Sequence, residues 1–146
     1  MTAKRELVIG GQPWQRAASI WVRMNVFVIE RGIALQDEFD ANDEKGVTYA
    51  VIYEDQRPIA CGRFLREGED AGRLTRIATL ADYRGQHLGS QIIAALERHA
   101  QSLHIKNLSI HAELTAVSFY TRLGYRNASP VYLEDGVACR TLVRQL

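Results

Sequence analysis

A strand-like run, a glycine-bearing turn and a helix-like run follow one another in the middle of this chain. Residues 74–80 are rich in apolar side chains, residues 83–90 read Tyr-Arg-Gly-Gln-His-Leu-Gly-Ser, and residues 88–103 repeat apolar side chains at helical spacing. The first turn of a helix has backbone N–H groups without an intrahelical partner, together with partial positive charge. This order therefore predicts an anion-binding turn between a strand and a helix.

The turn also has residue types that suit a phosphate. Gly85 and Gly89 allow the backbone to approach an anion closely, Arg84 adds a positive charge, and Ser90 adds a hydroxyl donor. The turn lacks the Gly-Lys-Ser/Thr ending of a Walker A loop and the G-x-G-x-x-G dinucleotide fingerprint. We predict that residues 84–90 form a pyrophosphate cradle. The alternative is a tight strand-to-helix turn that binds nothing.

Composition excludes several functional classes. The chain has 146 residues, 47% of them hydrophobic, and 18 basic residues against 17 acidic ones. This length suits one domain over residues 1–146, and the balanced charge argues against a nucleic-acid surface. Without a membrane-spanning apolar run or a signal-peptide pattern, we expect a cytoplasmic protein that does not bind membranes. Cys61 and Cys139 are too few for a disulfide framework or a zinc site, and we expect no metal.

The first half of the chain predicts a strand, a helix and a hairpin. Residues 6–9 form the strand, and the helix runs from Pro13 to roughly Glu30 before Gly32 ends it. Its inner face is predicted from apolar residues that recur at helical spacing, namely Trp14, Ala17, Ala18, Trp21, Met24 and Val28. An acidic loop or short irregular helix follows at residues 36–45, and residues 47–65 form the hairpin.

The second half predicts a parallel strand pair and a final hairpin. The helix at 88–103 is a crossover, so the alternating strand at 107–112 should lie parallel to the strand at 73–80. Thr115 is predicted to cap a short helix that ends at Gly124. A last hairpin turns at Asp135-Gly136. The predicted order is β-α-ββ-β-α-β-α-ββ, a mixed sheet with helices on both faces.

Several stretches resemble one known family. Residues 84–89, Arg-Gly-Gln-His-Leu-Gly, are similar to the acyl-CoA loop Arg/Gln-x-x-Gly-x-Gly/Ala of the GNAT N-acetyltransferases, with His87 where the family has its middle glycine. Residues 75–79 resemble the strand before that loop, and residues 118–125 resemble the Phe-Tyr-x-x-x-Gly-Phe element. Residues 25–43 and 131–137 resemble a bacterial, ElaA-like branch, although Cys139 stands where that branch has a histidine.

The resemblance implies an α/β fold with a central mixed sheet of about seven strands flanked by helices. It implies transfer of an acetyl group from acetyl-CoA to a primary amine by direct attack, with Tyr120 giving a proton to the departing CoA thiolate. In the family the strand equivalent to residues 75–79 splays from its neighbour and pairs with pantetheine. The residues expected to bind acetyl-CoA are Ile77, Ala78, Thr79, Arg84, Gly85, Gln86, His87, Leu88, Gly89, Ser90, Ser118 and Tyr120.

The general base and the acceptor are less constrained. A primary amine is largely protonated near neutral pH, so a group must remove its proton. Glu38 is the first candidate and His111 the second, while Glu113 stands where many family members carry Asn or Gln. The carboxylates at Asp37, Glu38, Asp40, Asp43 and Glu44 favour a cationic acceptor, unless they form only a solvated loop.

Three functional interpretations of the sequence compete. The first is an acetyl-CoA-dependent N-acetyltransferase, and the second is a non-catalytic acyl-CoA sensor or regulatory module, which His87 and the undefined base keep open. A generic nucleotide-binding α/β protein is the third, and the two hairpins argue against it. The acceptor, the acyl-chain preference and the oligomeric state, for which a homodimer is one option, are left open by the sequence.

Overall fold

The structure is a computed structural model, and it describes residues 3–44 and 46–146. Its longer elements are helices α1 to α4 and strands β1 to β8. The helices are α1 (Pro13–Arg23), α2 (Leu35–Glu38), α3 (Leu88–Ser102) and α4 (Val117–Arg122). The strands are β1 (Arg5–Gly10), β2 (Thr48–Glu54), β3 (Arg57–Arg66), β4 (Ala71–Thr79), β5 (Asn107–Glu113), β6 (Arg126–Asn127), β7 (Tyr132–Glu134) and β8 (Val137–Gln145). Short 3₁₀ turns cover Ala41–Asp43, Ala81–Tyr83 and Leu114–Ala116.

In the described part of the chain, eight strands form one mixed sheet in the order β1-β2-β3-β4-β5-β8-β6, and β7 also pairs with β8. β4 and β5 are parallel, as the crossover through α3 predicts, and the other paired strands are antiparallel. The sheet thus confirms the predicted fold class, with one short strand, β6, beyond the predicted number. β6 is only two residues long, too short to show strand periodicity in the sequence.

Helices cover both faces of the sheet at β3. The Cys61 thiol lies 3.8 Å from the carbonyl oxygen of Ser19 in α1. The next residue, Gly62, faces the other way, where a Cβ would lie only 2.6 Å from Ile92 and 2.9 Å from Leu96 of α3. Because neighbouring residues of a strand point to opposite faces, α1 and α3 sandwich the centre of the sheet. α3 reaches it so closely only because residue 62 has no side chain.

The inner face of α1 differs from the prediction. The buried residues are Ala18, Val22 and three polar ones, Gln15, Ser19 and Arg23, whereas Trp14 and Trp21 are 56% and 41% exposed. Apolar periodicity pointed to the wrong face because α1 buries an arginine and leaves its tryptophans outside. The predicted single helix also changes pitch, since Met24–Glu30 forms a π-helix after α1.

Candidate active site

The parallel strands β4 and β5 separate halfway along their length. They pair from Ala71 opposite Asn107 to Leu74 opposite Ile110, and among the described residues the pairing stops there. From Thr75 to Thr79, β4 therefore has a strand partner, β3, on one edge only. The strand edge facing β5 is free to hydrogen-bond an extended ligand.

A bulge in β4 marks this separation. Arg63 is opposite Thr75 and Cys61 is opposite Ala78, so Gly62 alone faces both Arg76 and Ile77. Arg76 has a positive φ of 55°, which is unusual for a residue with a side chain. Bulges re-aim side chains next to functional sites, and this one directs Arg76 toward Glu38 and Asp40.

A cleft of about 730 Å³ occupies the space between the separated strands. It brings together four of the predicted site residues, namely Glu38, Ile77, His111 and Tyr120. Residues 84–90 and Ser118 do not line it. Ser118 lies exposed on α4, and Ala78 is buried in the core.

The predicted cradle lies where α3 begins, and its backbone is left unpaired. Among the described residues, none of the N–H groups of residues 85–90 has a hydrogen-bond partner, and the first N–H bonded back into the turn is that of Gln91. Gly85 has a φ of 80° and open space where a Cβ would stand. Six N–H groups at a helix N-terminus suit an anion with several oxygens.

His87 adopts a left-handed conformation, with φ 62° and ψ 24°. A positive φ is uncommon for a residue with a side chain. The imidazole is exposed, and the backbone takes a shape that favours glycine. The related family has glycine at this position, and glycine adopts a positive φ without steric cost. His87 adopts a positive φ although it has a side chain.

The side chains of the cradle are turned away from its N–H groups. Arg84 forms two hydrogen bonds with Glu30, at 2.6 and 2.7 Å, and its Nε donates to the Thr79 carbonyl oxygen at 3.1 Å. The Ser90 hydroxyl donates to the His87 carbonyl oxygen at 3.0 Å, and the Leu88 side chain is buried in the core. The predicted charge and hydroxyl thus serve the shape of the turn.

Gly89 connects the cradle to α4. A Cβ at Gly89 would lie 3.3 Å from the Phe119 ring, whose centroid is 5.0 Å from that of Tyr120. Tyr120 is 8% exposed, and its hydroxyl has no hydrogen-bond partner among the described residues. Burial and the nearby Glu113 carboxylate raise the pKa of Tyr120 well above its ordinary value, so the phenol keeps its proton.

The acidic segment forms a buried ion-pair network. Arg23, fully buried, bonds Glu38 Oε1 through Nε at 3.0 Å and Asp43 through Nη1 at 2.6 Å. Arg63 lies 3.1 Å from Asp40 and 3.0 Å from Asp43. Arg76 lies 3.2 Å from Glu38 and 3.3 Å from Asp40. Three carboxylates therefore meet three guanidinium groups.

The network moves the pKa values of its members in opposite directions. Burial raises the pKa of Glu38, and Arg76, Arg23 and Arg63 offset only part of that rise. Burial also acts against the Asp43 carboxylate, but the hydrogen bond from Arg23 and the charges of Arg23 and Arg63 outweigh it and hold its pKa well below the ordinary value.

This pairing removes the reason for assigning the charge of the acidic loop to the acceptor. Glu38, Asp40 and Asp43 are matched by arginines from α1, β3 and β4, which sequence reasoning missed because nothing along the chain signals such distant partners. The cleft-lining carboxylates without an arginine in contact, among the described residues, are Asp37, Glu134 and Asp135. Two of these come from the β7–β8 turn.

His111 lies on β5 just beyond the point of separation. Its Nδ1 is 3.0 Å from Glu134 Oε1, and Arg73 Nη1 is 3.2 Å from Nδ1 and 3.5 Å from Nε2. The Tyr132 ring packs against the imidazole edge-on, with centroids 6.0 Å apart. The ring is thus held by β4 on one side and β7 on the other.

The separated strands, the unpaired helix start and the cleft between them agree with the comparisons to known proteins. The model of the acetyltransferase (GNAT) domain family matches residues 25–143. The chain belongs to the GNAT acetyltransferases. An uncharacterized acetyltransferase of Streptococcus pyogenes is 46% identical over 112 residues, which cover 77% of each chain. Membership makes this protein an N-acetyltransferase by class.

Solved structures agree with the fold. A Lactobacillus plantarum protein assigned to the N-acetyltransferases is 36% identical, with a TM-score of 0.93 over 97% of this chain and 98% of its own. Escherichia coli ElaA superposes with a TM-score of 0.82 over 98% and 99% at 21% identity, which shows a shared fold.

No described helix of this GNAT protein is long and apolar enough to cross a bilayer. Within residues 3–44 and 46–146, no three His, Cys, Asp or Glu side chains cluster so that they could hold a metal ion.

Proposed function

We propose that this protein transfers an acetyl group from acetyl-CoA to a primary amine by direct attack, with Tyr120 as proton donor to the CoA thiolate. The observation that carries this proposal is the Tyr120 hydroxyl, which lines the cleft without a hydrogen-bond partner among the described residues. A departing thiolate benefits from a nearby acid, and a phenol with a raised pKa is still protonated at neutral pH.

Two neighbouring features support acetyl-CoA as the acetyl donor, the start of α3 and the free edge of β4. The unpaired N–H groups of residues 85–90 would hold the pyrophosphate, with no need for the charge of Arg84. The free edge of β4 at Ile77, Ala78 and Thr79 would pair with the amides of pantetheine, as an added strand does. Since the Thr79 carbonyl already accepts from Arg84, the pairing would rest mainly on the groups before it.

The acceptor is proposed to be a cationic amine. Asp37, Glu134 and Asp135 supply negative charge in the cleft that no arginine in contact neutralises. Such charge raises the encounter rate of a cation, and salt screens it. A cytoplasmic location belongs to the same proposal, because both cysteines are buried free thiols, as a reducing compartment favours.

Tyr120→Phe tests the proposed acid. It removes only the hydroxyl, so the fold and CoA binding should survive while kcat falls by about 10²–10⁴-fold, the usual contribution of acid–base help. An amine panel assayed by thiol release, with mass spectrometry of the products, would first identify an acceptor. KM for acetyl-CoA should change little, since the donor acts chiefly as the thiolate departs.

Tyr125→Phe is the matched control. Tyr125 is also buried and lies 6.2 Å from Tyr120 between ring centroids, but its hydroxyl donates to Glu97 at 2.8 Å and it does not line the cleft. This variant should lose stability and keep kcat. A Tyr120→Phe enzyme with wild-type kcat, where chemistry limits the rate, would reduce Tyr120 to a packing residue.

A further inference from the structure

We propose that His111 is the general base of this enzyme and that Glu134 and Arg73 are positioning residues that fix which ring nitrogen accepts the proton. The inference rests on the proposed function and deepens it. It selects His111 over Glu38, and it gives Glu134, the last residue of β7, a second role beside its charge in the cleft.

The contacts of the imidazole decide its tautomer. Nδ1 is 3.0 Å from a carboxylate oxygen of Glu134, which can only accept a hydrogen bond when ionised. Nδ1 must therefore carry the hydrogen, because two lone pairs at that distance would repel. A neutral ring with its hydrogen on Nδ1 leaves the lone pair on Nε2, so Nε2 is the nitrogen that can act as a base.

Arg73 fits the same arrangement. Its Nη1 approaches Nδ1 at 3.2 Å and Nε2 at 3.5 Å, but Nδ1 cannot donate to Glu134 and accept from Arg73 at once. Nε2 is the ring nitrogen that can accept from Arg73 until an amine replaces it. The guanidinium charge also opposes that of an imidazolium, so it favours return of the proton to solvent.

The other groups around the ring do not compete for its proton. Thr141 is opposite His111 on β8 but bonds Tyr132, whose ring contacts the imidazole by its edge. Glu113, two residues along β5, is held by Arg31 at 2.6 Å. Glu67 lies beyond Arg73, 3.9 Å from its Nε. Glu134 is thus the carboxylate in contact with the ring.

Glu38 is the poorer base because its carboxylate is buried and in contact with two arginines. Its Oε1 lies 3.0 Å from Arg23 Nε and 3.2 Å from Arg76 Nε, and its side chain is 3% exposed. An amine in the cleft therefore has little access to this oxygen, although burial raises the pKa of Glu38. His111 instead lies 3.0 Å from Glu134 through Nδ1, and its side chain is 30% exposed and lines the cleft.

The protons balance along this route. The substrate ammonium has three protons: one passes to Nε2 and on to solvent, and one stays on the product amide. The nitrogen lone pair forms the new N–C bond as the C–S bond breaks. The sulfur takes its proton from Tyr120, and the third ammonium proton replaces it. Products are the amide, the CoA thiol and one released proton.

The pH dependence of kcat/KM tests the assignment, because its acidic limb reports the base of the free enzyme. His111→Gln should abolish that limb and lower the rate by about 10²-fold or more. Glu134→Gln keeps an oxygen for the Nδ1 hydrogen but removes the charge that favours imidazolium, so the limb should move to lower pH. Arg73→Met should move it the opposite way.

Asp135→Asn is the matched control, since Asp135 is the adjacent carboxylate in the same turn and its positive φ of 51° is tolerated by asparagine. It should leave the limb near its wild-type position. The tautomer has its own readout in long-range ¹H–¹⁵N NMR, which should find hydrogen on Nδ1 in the wild type and a mixture in Glu134→Ala.

The outcomes separate the two proposals. A limb that persists in folded His111→Gln overturns the base assignment. A limb that vanishes with His111→Gln but does not respond to Glu134→Gln or Arg73→Met overturns the positioning roles. If the wild type transfers acetyl to no amine, the proposed function fails, while an Nε2–H tautomer by NMR would overturn the inference independently.

Discussion

The cradle and the cleft are built by opposite means. In the cradle the backbone is exposed for binding, and the side chains of Arg84 and Ser90 bond back to the protein. In the cleft the binding groups are side chains, and their charges are balanced by partners from α1, β3, β4 and β7. The cradle presents backbone N–H groups at fixed positions, whereas the cleft presents charged side chains that contact partners of opposite charge.

This difference matches what the proposed function requires each region to bind. A pyrophosphate has the same shape and charge whatever acyl group or acceptor is present, so fixed N–H groups at a helix start suffice. An acceptor amine must lose a proton, so the cleft needs titratable groups whose charged forms are controlled by neighbours. The comparison predicts that charge changes will be costly in the cleft and mild in the cradle.

Removing one arginine from the ion-pair network beside the cleft and one from the cradle tests the comparison most strongly. Arg23→Met leaves Glu38 and Asp43 without their buried partner, so we expect a loss of about 3–5 kcal/mol in the free energy of unfolding. Arg84→Met breaks an exposed pair and should cost far less. Denaturant titration measures both, and equal losses would show that the two regions do not differ as described.

Acid should destabilise the ion-pair network beside the cleft by protonating Asp43. Its folded pKa is depressed, so its contribution to stability is present above the ordinary value of 3.8 and is lost as pH falls below it. The raised pKa of Glu38 acts in the opposite sense, but the Asp43 shift is the larger one. Unfolding free energies from pH about 5 down to about 2 should fall steeply in the wild type and less in Asp43→Asn.

The same contrast explains what the sequence could predict. The unpaired helix start was predictable because its strand, glycines and helix are contiguous, and residues 85–90 would bind an anion through local geometry. The separation of β4 and β5 was expected only through the family resemblance. The left-handed φ of His87 could have been inferred too, since the family places glycine at a position that requires it.

The cleft was largely unpredictable because its pairs are remote in sequence. Arg23 meets Asp43 across 20 residues, and His111 meets Glu134 across 23. The inner face of α1 was mispredicted for the same reason, since Arg23 is buried by carboxylates that no helical pattern reveals. The Arg76 bulge, too, depends on Gly62 of the neighbouring strand.

A charge placed in the cradle should act on CoA more than on the fold. Gln86 is exposed, and Gln86→Glu adds one negative charge beside the unpaired N–H groups without a change of shape. Repulsion of the pyrophosphate should weaken CoA binding by roughly threefold to tenfold, whereas the helix dipole should slightly stabilise the protein. Calorimetry and thermal unfolding would show these opposite movements.

Gln101→Glu provides the matched control at the other end of α3, where the same change lies far from the proposed phosphate site. Its CoA affinity should stay at the wild-type value, and the helix dipole should now disfavour the charge. If both variants bind CoA equally well, residues 84–90 do not hold the pyrophosphate.

The smallest expected effect is that of His87→Gly, and it addresses whether the cradle binds through backbone alone. The left-handed φ of 62° costs a non-glycine residue about 1 kcal/mol, which glycine recovers, although glycine loses more entropy on folding. The two terms nearly cancel, so stability should change by less than about 1 kcal/mol. Gln86→Gly, at a neighbour without a positive φ, gains nothing and should only lose stability.

Because His87→Gly keeps the N–H direction, CoA affinity should change less than about threefold. A larger loss of CoA affinity, measured by calorimetry on the folded variant, would mean that the imidazole itself contacts the nucleotide. The cradle would then bind through a side chain, as the cleft is proposed to do.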